Sequence, residues 1–105
     1  MEYKVVFRPA AEADLHSIYQ IIAEDSGHER AVAYIDRIES VCMKLTHFPE
    51  RGTRRYNLVP GIRTFGFERS ATIAFCIEDK TVRIIRIFYG GRDFETLLKN
   101  TDLRE

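Results

Sequence analysis

The chain has 105 residues, the length of about one domain, and its 16 Lys+Arg balance its 16 Asp+Glu to a formal net charge of zero, which excludes a protein coated in positive charge that clings to any polyanion. Hydrophobic residues at 45% and aromatics at 11% supply a packed core and exclude a disordered ground state. Apolar runs such as Ile73–Ile77 fall far short of the roughly 20 residues that cross a bilayer, and Met1-Glu2-Tyr3-Lys4 opens without a signal-peptide core, so a cytoplasmic domain without membrane contact is expected.

In chain order, Tyr3 to Phe7 reads as a short strand of β-branched and aromatic residues. Pro9 suits the first turn of a helix, where its missing N–H costs nothing, and Ala11, Leu15, Ile18, Tyr19 and Ile22 then follow the spacing of one helical face. Glu12, Asp14, Gln20 and Glu24 take the other side and read as solvated; Gly27 closes the helix. Ser26 and Glu29 have the S-x-x-E spacing of a capping box, which predicts the start of a second helix. Its apolar stripe runs through Ala31, Tyr34, Ile35, Ile38, Val41, Cys42, Leu45 and Phe48, and Pro49-Glu50-Arg51-Gly52 turns the chain out of it. Two helices so closely joined are expected to pack as an antiparallel hairpin.

The period changes in the second half. Strands are predicted over Ile62–Arg69, Ala71–Ile77 and Thr81–Tyr89, with a tight turn at Glu78-Asp79-Lys80-Thr81. The last strand alternates Val82, Ile84, Arg86 and Phe88 against Arg83, Ile85, Ile87 and Tyr89, so both faces are largely apolar and a central place in the sheet is expected. Gly90-Gly91 ends it, and Arg92 to Asn100 reads as a short final helix. The expected architecture is α+β: a strand, an antiparallel helical hairpin, a three-stranded antiparallel sheet and a short C-terminal helix, all in one domain over 1–105.

Chemical signatures are sparse. His16, His28 and His47 are dispersed without metal-ligand spacing, no G-x-S-x-G elbow occurs, Ser70 reads as a turn residue, and Gly90-Gly91 is too short to cradle a phosphate. No catalytic residue, metal or cofactor is therefore assigned. Cys42 and Cys76 read as small buried hydrophobes rather than a disulfide or a reactive thiol. The zero charge conceals a division: residues 1–50 hold five basic and nine acidic side chains, residues 51–105 eleven basic and seven acidic, so the halves carry −4 and +4. Arginines beside aromatics in the second half (Arg63, Phe65, Arg83, Arg86, Phe88, Tyr89, Arg92) suit forked contacts to phosphate or carboxylate. The competing reading is that they pair with Glu68, Asp93 or Glu95 and merely cover sheet edges.

Four segments share an order and spacing with a known group: Phe7-Arg8-Pro9-Ala10 with Asp14-Leu15 and Ile18; Phe48-Pro49-Glu50-Arg51-Gly52; Leu58-x-x-Gly61-Ile62-Arg63; and Val82-x-Ile84-x-Arg86-Ile87-Phe88-Tyr89-Gly90-Gly91-Arg92-Asp93. Over about residues 3–95 the chain resembles the ParE/RelE superfamily, the toxins of bacterial type II toxin–antitoxin modules, also called plasmid-stabilisation proteins. In that group RelE-like members are metal-independent endoribonucleases that cut mRNA in the ribosomal A site, with basic residues neutralising charge on the phosphate. ParE-like members poison DNA gyrase. The basic residue that opens the third strand in the RelE branch, and the aromatic in its last helix, are matched here by Ala71 or Thr72 and by Leu98, whereas the turn at Pro49/Gly52 and the closing segment look like ParE.

The resemblance therefore implies a gyrase-inhibiting toxin whose target-binding surface holds Arg63, Arg86, Tyr89 and Arg92 as contacts rather than catalysts. The alternative is a RelE-like ribonuclease in which the three arginines steady the phosphate and Tyr89 orients or deprotonates; a non-toxic binding module is a third reading. A ParD-like antitoxin is implied as partner, adding a helix against the hairpin and a strand to a sheet edge, with operator DNA reached only through it. Phe65, Phe67 and Phe88 are expected to be the aromatics that dock it, and an acidic antitoxin segment would suit the arginine-rich half.

Overall fold

Strand β1 (Lys4–Phe7) leads through Arg8 into helix α1 (Pro9–Ser26), and helix α2 (His28–Met43) returns beside it; a single 3-10 turn (Lys44–Thr46) follows. After β2 (Thr53–Arg54) come β3 (Ile62–Phe67), β4 (Ala71–Glu78), β5 (Thr81–Tyr89) and helix α3 (Phe94–Lys99). The structure is a computed structural model and describes residues 2–91 and 93–101.

One residue makes the helical hairpin. Gly27, at φ +94°, donates its N–H to the Ala23 carbonyl (2.9 Å) and accepts from the Ala31 N–H (3.2 Å), so it ends α1 and opens α2 at once. Such a φ suits glycine alone. The expected capping box does not form: Ser26 is still the last residue of α1, and its hydroxyl donates to the Asp25 carboxylate at 2.9 Å. The connection is too short for a residue before Gly27 to reach the first turn of α2. The stripe of α2 also ends sooner than its spacing suggests. Leu45 is buried in the 3-10 turn, but Phe48 has left the core and is 75% exposed.

The sheet differs from the three-stranded antiparallel one expected. It has five strands in the order β1-β5-β4-β3-β2, and it is mixed, because β1 runs parallel to β5 with Val5 opposite Val82 and Phe7 opposite Ile84. That pairing joins positions some three-quarters of the chain apart, and no local pattern announces it. The short β2 extends the other edge, with Thr53 opposite Thr64. The expected central place of β5 is found: it lies between β1 and β4. Its simple alternation is not, because Phe75 faces Ile84 while Ala74 faces Arg86, leaving Ile85 as an extra residue in a β-bulge. Past the bulge the faces exchange, so that Val82, Ile84 and Ile87 join one core cluster while Ile85 and Phe88 join the other.

Those clusters define two layers. The hairpin supplies Ala11, Leu15, Ile18, Tyr34, Ile38 and Cys42 against Phe65, Phe67, Ile73 and Phe75 of the sheet. On the opposite face Leu98 of α3 and Val59 pack on Ile62, Ala74, Ile85 and Phe88. The turns between the antiparallel strands carry positive φ at Asp79 (50°) and Lys80 (61°), and at Glu68 (47°) and Arg69 (58°). The first pair is the mirror-image turn whose twist matches a two-residue hairpin.

Candidate recognition surface of the sheet

The site residues expected from sequence fall in different places. Arg86 stands just past the bulge, where β1 has ended at the level of Ile84 and β5 has a free margin. Asp14 of α1 fills that margin. Its carboxylate accepts from Arg86 Nε (2.7 Å) and from a terminal guanidinium nitrogen (2.9 Å), and one of its oxygens also accepts from the Ile87 backbone N–H at 2.8 Å. The Asp14 side chain is only 12% exposed, so it belongs to the helix–sheet junction and not to the solvated face of α1. These hydrogen bonds raise the proton affinity of Arg86 above its ordinary value, and its guanidinium carbon stands 5.1 Å from the centre of the Phe88 ring.

Arg63 lies two strands away on β3 and is 7% exposed. It approaches Glu50 at 3.7 Å and the Arg51 carbonyl at 3.5 Å, both from the turn that precedes β2. Gly52 in that turn has φ +82°, and a Cβ there would stand 2.3 Å from the Thr64 carbonyl oxygen, so only glycine lets the turn lie against β3. Beside it Arg51 covers the Phe65 ring at 4.3 Å, while Arg55 donates to the Thr64 hydroxyl at 3.0 Å and covers Phe94 at 5.3 Å. The arginines of the sheet do find partners, but not the expected ones. Glu50 and Asp14 take the place of Glu68, Asp93 and Glu95; Glu68 is engaged by Arg37 of α2 through two bonds of 2.8 and 3.0 Å. Asp93 instead caps α3, accepting from the Thr96 N–H at 3.3 Å and its hydroxyl at 2.7 Å.

Tyr89 is half-buried at the far end of β5, where it meets residues that spacing alone had assigned to the core and to a turn. Its ring stands edge-on to Tyr34 at 5.7 Å. The Ser70 hydroxyl donates to the Phe67 carbonyl (3.2 Å), so the Tyr34 hydroxyl is the donor in their 2.7 Å hydrogen bond. Burial pushes the Tyr34 phenol above its ordinary value and keeps that proton in place. A cavity of about 490 Å³ opens beside the pair, with Arg30 and Arg37 on one wall and Ile21 and Ile22 on another. Arg92 lies outside the described residues.

The three aromatics expected to grip a partner are not exposed. Phe65, Phe67 and Phe88 are 7%, 5% and 3% accessible, and they do not share a surface: the first two face the hairpin and the third faces α3. A strand's aromatic residues look alike in sequence whether a helix or solvent lies above them. Cys42 is fully buried and Cys76 half-buried; burial pushes the Cys42 thiol up to about 12 and raises that of Cys76. Among the described residues no three His, Cys, Asp or Glu side chains converge as a metal site, and no helix is long and apolar enough to cross a membrane.

A helical hairpin laid across a mixed sheet and backed by a short C-terminal helix is the fold of the ParE/RelE toxins. The solved chromosomal ParDE toxin–antitoxin system of Pseudomonas aeruginosa contains a chain 28% identical that superposes with a TM-score of 0.75, over 85% of this chain and 97% of that one. The same fold, at 20% identity and a TM-score of 0.60, occurs in the RelBE2 toxin–antitoxin complex of Mycobacterium tuberculosis, over 85% of this chain and 99% of that one. A mutant Escherichia coli toxin RelE in the free state has it too, at 12% identity and 0.63, over 92% and 93%. Within that class, the model of the ParE toxin of the type II toxin–antitoxin system, parDE, matches residues 5–94. Toxin ParE3 of Caulobacter vibrioides is 32% identical over 87 residues, 83% of this chain and 86% of that protein. The chain belongs to the ParE toxin family of type II toxin–antitoxin systems.

Proposed function

We propose that this ParE-family toxin acts by inhibiting DNA gyrase and so blocking replication, and that a ParD-like antitoxin neutralises it. The match to the ParE toxin along residues 5–94 carries the reading, because it spans the helical hairpin, the whole sheet and the closing segment together. The reading of the arginines as contacts fits their setting: Arg86 and Arg63 are each held beside a carboxylate, which fixes each guanidinium as a directed positive group. Tyr89, at the end of β5, and Arg92 complete the proposed target-binding surface. Phe65, Phe67 and Phe88 serve antitoxin binding only by shaping the surface above them, since they are buried.

Inducing the chain in bacteria without antitoxin is expected to give filamentation and gyrase-linked DNA breaks. Rapid codon-phased cleavage of mRNA with supercoiling intact would overturn the proposal in favour of ribonuclease action. Tyr89→Phe, which keeps the ring packed against Tyr34, is expected to reduce toxicity while leaving thermal stability nearly unchanged, which separates a contact hydroxyl from a structural ring.

A further inference from the structure

The end of β5 is secured by a strand on one side only. Its neighbour β1 stops at the level of Ile84, so Tyr89, opposite Ala71 in the last pair of the ladder, has only β4 beside it. Beyond it Gly90 and Gly91 take positive φ, +77° and +64°, and a Cβ at either would meet nothing within 4 Å. Gly90 donates its N–H to the Ser70 carbonyl at 2.8 Å. The place of Tyr89 is therefore set by the β3–β4 turn and by what lies beneath it.

In that turn Glu68 and Arg69 occupy left-handed backbone at φ 47° and 58°, where Asn and Gly are the ordinary residues. A strained turn keeps one shape only when its surroundings over-determine it, and here the surroundings are α2. Tyr34 and Arg37 stand one turn apart on the same face of that helix. The Tyr34 hydroxyl is bonded to the Ser70 hydroxyl at 2.7 Å, and Arg37 grips Glu68 through two bonds of 2.8 and 3.0 Å. Ser70 in turn donates its N–H (2.9 Å) and its hydroxyl (3.2 Å) to the Phe67 carbonyl. The Tyr34 ring stands edge-on to Phe67 at 5.4 Å and to Tyr89 at 5.7 Å. Helix, turn and strand end thus form one connected unit. Its two links differ in weight. The Arg37–Glu68 pair is exposed and screened by water, whereas the Tyr34–Ser70 bond is partly buried and contributes more.

We infer that Tyr34 and Ser70 are positioning residues of the toxic surface: through the β3–β4 turn they hold the Tyr89 hydroxyl where the target meets it, and the Arg37–Glu68 pair steadies the same link from outside. This inference rests on the proposed target-binding role of Tyr89. Tyr34 is buried and Ser70 half-buried, so both act through Tyr89 rather than by touching the target.

The test measures inhibition of gyrase supercoiling by the intact chain, amide exchange at Gly90 by NMR, and the melting temperature. Tyr34→Phe and Ser70→Ala are each expected to speed exchange at Gly90 and to weaken inhibition about fivefold, the worth of one net hydrogen bond. Because the effect passes through the Tyr89 hydroxyl, Tyr34→Phe is expected to weaken inhibition no further in a Tyr89→Phe chain. Glu68→Gln is expected to have a smaller effect, and exchanging the pair (Arg37→Glu with Glu68→Arg) to restore inhibition. Cys42→Ala removes a buried group about 12 Å further along α2. It is expected to lower the melting temperature while leaving Gly90 exchange and inhibition as they were. Unchanged Gly90 exchange in Tyr34→Phe, additive losses with Tyr89→Phe, inhibition that merely follows the melting temperature across the variants, or an exchanged pair that regains stability without inhibition would each overturn the inference. A wild-type chain that arrests growth without inhibiting gyrase would instead overturn the proposed target. Growth arrest on induction without antitoxin then takes the place of supercoiling as the measure of the same variants.

Discussion

Asp14 shows how much one side chain decides in this molecule. The strand β5 outlasts its neighbour β1, and the carboxylate supplies the acceptor that a longer β1 would have offered to the Ile87 N–H, while also locking Arg86 in a two-pronged pair. Hydrogen bonds to charged groups are worth roughly 1.5–3 kcal/mol, less where water screens them. Asp14→Ala is therefore expected to destabilise the chain by about 1–3 kcal/mol in urea unfolding. A double-mutant cycle with Arg86→Ala should return a coupling of at least about 0.5 kcal/mol, as contacting pairs do. A coupling near zero would mean that the two groups act independently. The cysteines permit a second check. With its thiol pushed up to about 12 and fully buried, Cys42 is expected to react with iodoacetamide only as fast as the chain unfolds, while half-buried Cys76 reacts first. Labelling of Cys42 in the native protein at neutral pH would contradict the burial described. Asp14 was not legible as a structural residue, since its position on the polar side of α1 is shared by residues that do face water.

At the scale of elements, the turn before β2 depends on Gly52. A methyl group would stand 2.3 Å from the Thr64 carbonyl, on a backbone at φ +82°. Gly52→Ala is expected to lower stability by more than about 1 kcal/mol, from left-handed strain alone, and to free Arg51 and Arg63 from their present places; a melting curve reads the first effect. Two exposed carboxylates tie elements together and set an acid limit. Hydrogen bonds from Arg37 hold Glu68 below its ordinary 4.5, joining α2 to the β3–β4 turn, and Thr96 holds Asp93 below its ordinary 3.8 at the start of α3. A group whose pKa is lowered by folding adds stability above its unfolded value and loses it as pH falls through the folded one. The melting temperature is thus expected to drop as pH falls below 4.5, and Glu68→Gln should remove part of that slope. A slope unchanged by Glu68→Gln would show that the pair contributes nothing. The elements themselves were largely legible: Pro9, the stripe of α2 and the alternating second half all mark what forms. The capping box at Ser26/Glu29 was not fulfilled, because a one-residue link leaves no room for it.

For the whole molecule, the pattern of pairing predicts where the fold is firmest. Both β4 and β5 are bonded on two sides and packed on two faces, whereas β2 has two exposed residues at an edge. Amide exchange is expected to be slowest along Ile73–Phe75 and Val82–Ile84, and fastest at Thr53–Arg54. Exchange in β5 as rapid as in β2 would contradict the five-stranded order. By itself the sequence determined the α+β class, the hairpin, the central place of β5, the opposed charges of the two halves and, through four short segments, the toxin family. Those properties are local or compositional: helical and strand periods, turn residues and counts of charge survive in any linear reading. The tertiary structure alone decided that β1 pairs parallel with β5, that a bulge exchanges the faces of β5, that Phe65, Phe67 and Phe88 are buried on two different sides, and that Asp14 and Glu50, rather than the nearby acids, hold the arginines. Each of these is a meeting of residues distant in the chain. Which residue meets which depends on packing all the elements at once, and no single segment carries that information.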